Sequence, residues 1–274
     1  MEHRCIFITV VMLYMNSGVN CKDKREALFV FGDSYADTGN LKLPAQSWAP
    51  PYGVTYPGQP AGRWSNGRVW SDYVARYLGL KSPIPFEQRA THQKRIKNGV
   101  NFAYGGSGLF ETLYPVPNIS QQIDNFEKMI SEKLFKRETL ASSVAIMVVS
   151  GNDYTKFAVV DNPNATPKEW KDFISKLIDQ MIVNIKRIRK MGINRIGING
   201  ISPLGCLPAA AKRRNYTECD RFSNELSEFH NDVLKEEISK MNETNPARYV
   251  YIDLYKAFLG SIRRRERVST GKLS

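Results

Sequence analysis

Apolar positions along this chain fall into two alternating patterns. The clearest helix is the stretch in which Trp170, Phe173, Ile174, Leu177, Ile178, Met181, Ile185 and Ile188 recur three or four residues apart, one face of a 3.6-residue period. Gly192 follows it where a C-cap glycine belongs. The pattern predicts further helices over Arg68–Leu78, Ile119–Phe135 and Arg221–Met241. Between them lie short apolar runs of strand type: Ala27–Phe31, Val100–Ala103, Ser143–Val149, Arg195–Ile201 and Arg248–Leu254. Five strands separated by helices predict an α/β fold, a parallel sheet covered on both faces with right-handed crossovers. No internal repeat or low-complexity tract interrupts this order. Leu41–Asn66, rich in Pro, Gly and Trp, reads as one long ordered loop.

Composition narrows the class without naming an activity. The 274 residues are 42% apolar and 24% charged, ordinary globular usage that excludes collagen-like, coiled-coil and wholly disordered chains. No apolar run reaches the ~20 residues of a membrane span, so no transmembrane anchor is expected. The formal net charge of +12 favours anionic surroundings but says nothing about fold. Much of it lies in lysines scattered on helix faces, where solvation is the simplest role.

The N-terminus carries a different signal. His3 and Arg4 precede the apolar stretch Cys5–Met15, and small and polar residues follow from Asn16 to Asn20, the order of a secretory signal peptide. We therefore expect a signal over residues 1–21, one domain over 22–260 and a basic tail over 261–274. The expected location is extracellular or the cell wall. Export bears on the four cysteines. Cys5 leaves with the signal and Cys21 lies at the cut, so Cys206 and Cys219 remain. In an oxidising compartment the natural reading is one disulfide, worth roughly 3 kcal/mol on the loop-entropy account; two free buried thiols are the alternative. Four N-x-Ser/Thr sequons, at Asn118, Asn164, Asn215 and Asn242, agree with secretion and predict N-glycosylation.

Candidate chemistry gathers in three loops. The first strand run ends in Gly32-Asp33-Ser34, the second in Tyr104-Gly105-Gly106-Ser107, the third in Gly151-Asn152-Asp153. In open α/β sheets ligands bind beyond the carboxyl ends of the strands. A serine at a strand-to-helix turn can present its hydroxyl as a nucleophile with its own N–H beside the developing oxyanion. A glycine turn brings a second backbone N–H close, and an asparagine adds an amide donor. Each is weak alone, since Ser34 and Asn152 also suit helix caps and Gly106 a plain turn. Together, in chain order, they outline an acyl-transfer site.

The blocks FVFGDSYADTGN, GVNFAYGGSG, VVSGNDY and Pro203–Pro208 (PLGCLP) resemble the plant GDSL esterase/lipases of the SGNH hydrolase superfamily, from about Ala27 to Tyr255. That resemblance implies a flavodoxin-like three-layer α/β/α sandwich with a five-stranded parallel sheet and a secreted ester hydrolase. It implies Ser34 as nucleophile, and Gly106 and Asn152 as oxyanion donors, with Gly105 the one-residue alternative to Gly106. Cys206 and Cys219 resemble a pair often bridged in the family, and Asp37 and Asn40 belong to the first block in a structural role.

One block of the pattern has no counterpart. The family places its catalytic Asp and His in D-x-x-H beyond the fifth strand, and here no Asp has a His three positions later. His3 falls in the signal, His92 in a polar loop and His230 on the flank of an amphipathic helix, where a solvated or half-packed role is expected. Asp253 ends the last strand, but a carboxylate activates a serine poorly at neutral pH. The tail from Ser261 carries no periodic apolar face, so the last helix is expected to be missing.

Three readings follow. The leading one is an ester hydrolase with an acyl-Ser34 intermediate, acting on a small acyl ester or lipid, with slow turnover for want of a base. A non-catalytic binding protein is the second. A flavin or nucleotide binder is the third, disfavoured because Asp33 and Asp37 repel phosphate. No metal or organic cofactor and no nucleic-acid partner is implied, and a monomer is expected.

Overall fold

The computed structural model describes residues 25–269 except 43, 150, 245 and 246. The expected signal segment and the last five residues of the tail lie outside the described residues. Six parallel strands form one sheet: β1 Leu28–Gly32, β2 Ile84–Pro85, β3 Val100–Asn101, β4 Val144–Val148, β5 Arg195–Asn199 and β6 Arg248–Ile252, in the order β2-β3-β1-β4-β5-β6. The five strands expected from sequence are all present. The sixth, β2, has only two residues and lies in no apolar run of strand type. It contains a proline, tolerated because β2 is an edge where a missing N–H breaks no ladder.

Strand alternation divides the core in two. Phe29 and Phe31 of β1 point to one face and join Phe102, Phe126 and Phe135, with ring centroids 4.6 Å apart for Phe29–Phe126 and 5.3 Å for Phe31–Phe102. Three helices cover this face: α2 Ile119–Ser131, α3 Pro167–Lys190 and α4 Arg221–Thr244. Leu28 and Val30 point to the other face with Val144, Ile146 and Val148, under α1 Trp70–Tyr77. The chain is therefore a three-layer α/β/α sandwich.

The helices obey their local chemistry. Thr166 caps α3 through a capping box with Glu169, Pro167 occupies the first turn, and Gly192 follows the C-cap Met191 at φ 104°. Asn118 caps α2 with Gln121 in the same way. That helix stops at Ser131, short of the expected Phe135, because Lys133 turns left-handed at φ 59°.

After β6 the sequence predicts no helix, yet α5 runs Leu254–Ser269. The cause is local: the Lys256 N–H donates to Asp253 Oδ1 at 2.9 Å, capping the first turn. Leu254 is buried, and Phe258 one turn later stacks on Tyr35 at 6.4 Å between centroids. Two contacts four residues apart start a helix that a period search over a charged tail does not find. Among the described residues no helix is long and apolar enough to cross a membrane.

Candidate active site

Because β1 lies between β3 and β4 and all three run parallel, the loops that follow them leave the sheet side by side. Ser34 follows β1, Gly105 and Gly106 follow β3, and Asn152 follows β4. The three sequence-predicted residues thus stand at three adjacent strand ends.

Side-chain amides and carboxylates knit these loops together. Gln122 of α2 accepts the Gly32 N–H at 2.8 Å and donates to the Gly32 carbonyl at 2.9 Å and to Ser107 Oγ at 2.9 Å. Asn152 Nδ2 donates to the Ser107 carbonyl at 2.8 Å. A single chain of contacts therefore runs from the Ser34 loop through Gln122 and Ser107 to Asn152. Gly32 must be glycine for a packing reason, since a Cβ there would lie 2.6 Å from the Val148 carbonyl oxygen.

The first block carries a second set of ties. Buried Asp37 accepts the N–H groups of Gly39 at 2.8 Å, Asn40 at 2.9 Å and Gly105 at 2.9 Å. Burial pushes its carboxyl up to about 6 against the lowering pull of these donors. Asn40 donates to the carbonyls of Asn101 and Ala103, each at 2.8 Å, and accepts the Glu87 N–H. Both residues hold loop geometry, as the resemblance implied.

These ties leave particular donors uncommitted. The Gly105 N–H is taken by Asp37, whereas the N–H groups of Ser34 and Gly106 donate to no acceptor among the described residues. Gly106 adopts φ 88°, a backbone region that favours glycine. The Asn152 amide has two hydrogens and commits one to Ser107. Two backbone donors and one amide hydrogen therefore stay uncommitted in the loops at these three strand ends, and Ser34 is half-buried.

Among the described residues no histidine is hydrogen-bonded to Ser34. His92 follows β2, at the sheet edge two strands from β1, and its Nδ1 is engaged by Thr91 Oγ1 at 2.9 Å and the Gln88 carbonyl at 3.2 Å. His230 is 1% exposed rather than solvated or half-packed, because α4 turns it into the core. Its Nδ1 pairs with the Tyr154 hydroxyl at 2.9 Å, and burial lowers its pKa to about 4. Asp253 is committed to capping α5. No cluster of three or more His, Cys, Asp or Glu suited to a metal occurs among the described residues.

Cys206 and Cys219 form a disulfide, thirteen positions apart. Gly205 N–H donates to Asn224 Oδ1 at 2.9 Å and Asp220 N–H to the Gly205 carbonyl at 2.9 Å, so the bridge closes a loop already pinned to α4.

Several residues that organise the site give little sequence signal. Gln122 reads as an ordinary polar position on a helix, and only its burial at 0% exposure marks it. Asp153 looks like a helix-start acid, yet its carboxylate accepts the Leu109 and Phe110 N–H groups at 3.0 and 2.9 Å. Thr112 lies in a loop, and its hydroxyl donates to the Gly106 carbonyl at 2.7 Å.

Two Arabidopsis thaliana proteins, GDSL esterase/lipase At5g03610 and At3g09930, are 44% and 43% identical over 85% of this chain. A third, GDSL esterase/lipase At2g36325 of the same plant, is 38% identical over 86% of this chain and 67% of its own length. The chain spans 65% and 66% of the length of the first two. The profile of the GDSL-like Lipase/Acylhydrolase family matches residues 28–267, from the first strand well into α5. This chain belongs to the GDSL-like lipase/acylhydrolase family.

Proposed function

We propose that this chain carries the acyl-transfer site of a secreted serine ester hydrolase. The observation that carries the reading is the sheet order, which sets Ser34 between the Gly106 and Asn152 loops with three donors uncommitted. Ser34 Oγ attacks the ester carbonyl carbon as its proton passes to solvent water. The carbonyl oxygen becomes an oxyanion, met by the N–H groups of Ser34 and Gly106 and by Asn152 Nδ2. Collapse of that intermediate breaks the carbonyl–alkoxy bond, the departing oxygen takes a proton from water to leave as the alcohol, and a second water cleaves the acyl-Ser34 ester to the acid and free Ser34. Prepositioned donors of this kind lower the barrier because they need no reorganisation as charge develops. The apolar run at Cys5–Met15, the four sequons and the disulfide support an extracellular site of action.

Both described histidines hydrogen-bond other groups through Nδ1, and on this reading proton transfer from Ser34 limits the rate. In a serine protease stripped of a triad member, about 10³–10⁴-fold acceleration over water survives from binding and oxyanion contacts. A short-chain nitrophenyl ester tests the reading on the chain and its Ser34→Ala variant. Slow turnover abolished in Ser34→Ala is the expected result. Equal rates in the two would overturn the reading in favour of a protein that binds esters without turning them over, which the same histidine placement favours.

A further inference from the structure

A cavity of about 180 Å³ opens beside edge strand β2, two strands away from β1, whose end carries Ser34. Two cations line it, Arg63 and Arg95, and no carboxylate does. Arg63 is fixed in place: its Nε and Nη2 donate to buried Asp72 at 3.0 and 3.3 Å, and its guanidinium lies 5.3 Å from the Tyr56 ring centroid. Asp72 also accepts the Val69 N–H at 3.1 Å and the Ser82 hydroxyl at 2.6 Å, so its charge offsets that of Arg63 behind the wall. Arg95 is exposed and pairs with no carboxylate among the described residues. Its Nη2 donates to the Ser82 carbonyl at 3.2 Å. The cavity therefore holds one uncompensated positive charge.

The rest of the wall is of two kinds. Trp48 and a pair of prolines are apolar. The Trp48 indole N–H donates to the Leu41 carbonyl, and a Cβ on Gly62 would lie 2.9 Å from Trp48 Cζ2, so the ring sits against that glycine with its polar atom used. Thr38 and Gln88 are polar. Thr38 Oγ1 accepts the Asn101 amide at 3.0 Å, which leaves its O–H to give. The Gln88 side-chain amide makes no hydrogen bond among the described residues.

These features select a ligand. A volume below the ~300 Å³ at which sites for drug-sized ligands begin admits one small ring. A single positive charge matches a carboxylate, whereas a phosphate monoester carries about −1.5 to −2 at neutral pH. An apolar wall adds nothing for a bare anion. A sugar ring has C–H groups whose burial on Trp48 is favourable, and hydroxyls for Thr38 and Gln88.

We infer that this cavity binds a uronate, a sugar ring bearing one carboxylate, as one residue of an acidic polysaccharide. Arg95 takes the carboxylate in the planar, paired geometry a guanidinium offers. Lys94 and Lys97, exposed on the same short helix Gln93–Asn98, meet neighbouring carboxylates of the polymer. The site goes beyond the ester-hydrolase reading and does not rest on it.

Calorimetric titration of the chain with trigalacturonate at physiological salt tests this. Expected are saturable binding of the trimer, at least about tenfold tighter than of monomeric galacturonate, and no binding of its neutral methyl ester or of inorganic phosphate. Arg95→Ala and Trp48→Ala should each weaken trimer binding by at least about tenfold. Lys186→Ala, at an exposed position on the outer helix α3, should bind as the native chain does. Absence of saturable binding overturns the inference, as does an Arg95→Ala variant of native affinity and native melting temperature. Phosphate binding as tight as that of the trimer would overturn the sugar in favour of a bare anion, and equal affinity for monomer and trimer would overturn the polymer. Arg95→Ala should hydrolyse a nitrophenyl ester at the native rate, so this site and the Ser34 reading fail separately.

Discussion

The Asp37 carboxylate accepts the Gly105 N–H at 2.9 Å, and in doing so it decides which glycine of the pair keeps a free donor. Sequence alone leaves a one-residue ambiguity between Gly105 and Gly106. On the proposed reading the buried carboxylate of the first block favours Gly106, because an N–H already bonded to a full negative charge is not free to meet an oxyanion.

Asp37 should therefore be costly to remove. Asp37→Ala leaves the N–H groups of Gly39, Asn40 and Gly105 without their acceptor, and one orphaned buried donor costs about 1–3 kcal/mol. Urea unfolding should show a loss of ~3 kcal/mol or more. The pH dependence has a definite sign. The native carboxyl titrates at about 6, above its ordinary 3.8, so the native state holds this proton more tightly than the unfolded chain. That contribution is complete below pH ~3.8 and is lost as pH rises through ~6. Asp37→Asn should abolish this part of the pH 4–6 slope in the urea midpoint.

His230 works in the opposite direction. Its pKa is about 4 in the native state against 6.5 ordinarily, because burial disfavours the charged ring. Its contribution is present above pH 6.5 and is lost as pH falls towards 4, on the order of 3 kcal/mol for a shift of this size. In His230→Phe that acid-side loss should disappear from a thermal-melt series between pH 7 and 4. The variant should also be less stable at pH 7, because the Tyr154 hydroxyl loses its partner.

The Cys206–Cys219 bridge should stabilise by 2–4 kcal/mol for a loop of this size. The double variant Cys206→Ser, Cys219→Ser is expected to unfold at lower urea by that margin, with its far-ultraviolet dichroism preserved. The Gly205–Asn224 and Asp220–Gly205 bonds still hold the loop on α4. A midpoint unchanged by the double variant would show that these bonds alone suffice.

The four sequons are not equivalent in the fold. Asn164 and Asn215 are exposed, and neither is bound by its side chain to the rest of the protein. Asn242 donates to the Tyr249 carbonyl at 2.9 Å and accepts its N–H at 3.0 Å, holding edge strand β6, and Asn118 caps α2. We expect glycans on Asn164 and Asn215 of protein secreted from a eukaryotic host. Asn164→Gln and Asn215→Gln should each lower the mass by one glycan, while Asn242→Gln leaves it unchanged.

Much of this was legible in the residues. Continuous apolar runs bounded by helical periods specify a buried parallel sheet, because a strand covered on both faces has no polar side to show. The five expected strands, the long helix ending at Gly192 and the three loops bearing Ser34, Gly106 and Asn152 follow from that pattern and from short motifs. What local pattern does not encode is where a buried polar side chain sends its hydrogen bonds. Gln122 holding Gly32, Asp37 choosing Gly105 over Gly106, and His230 turning from solvent to Tyr154 depend on which strands become neighbours. The helix from Leu254 belongs to the same class, since it depends on an Asp253 cap and on Phe258 meeting Tyr35, a residue more than two hundred positions away in the chain. Periodicity and motif chemistry act along the chain and determine the elements. Sheet order and burial act across it, and they alone decide which donors stay free at the site.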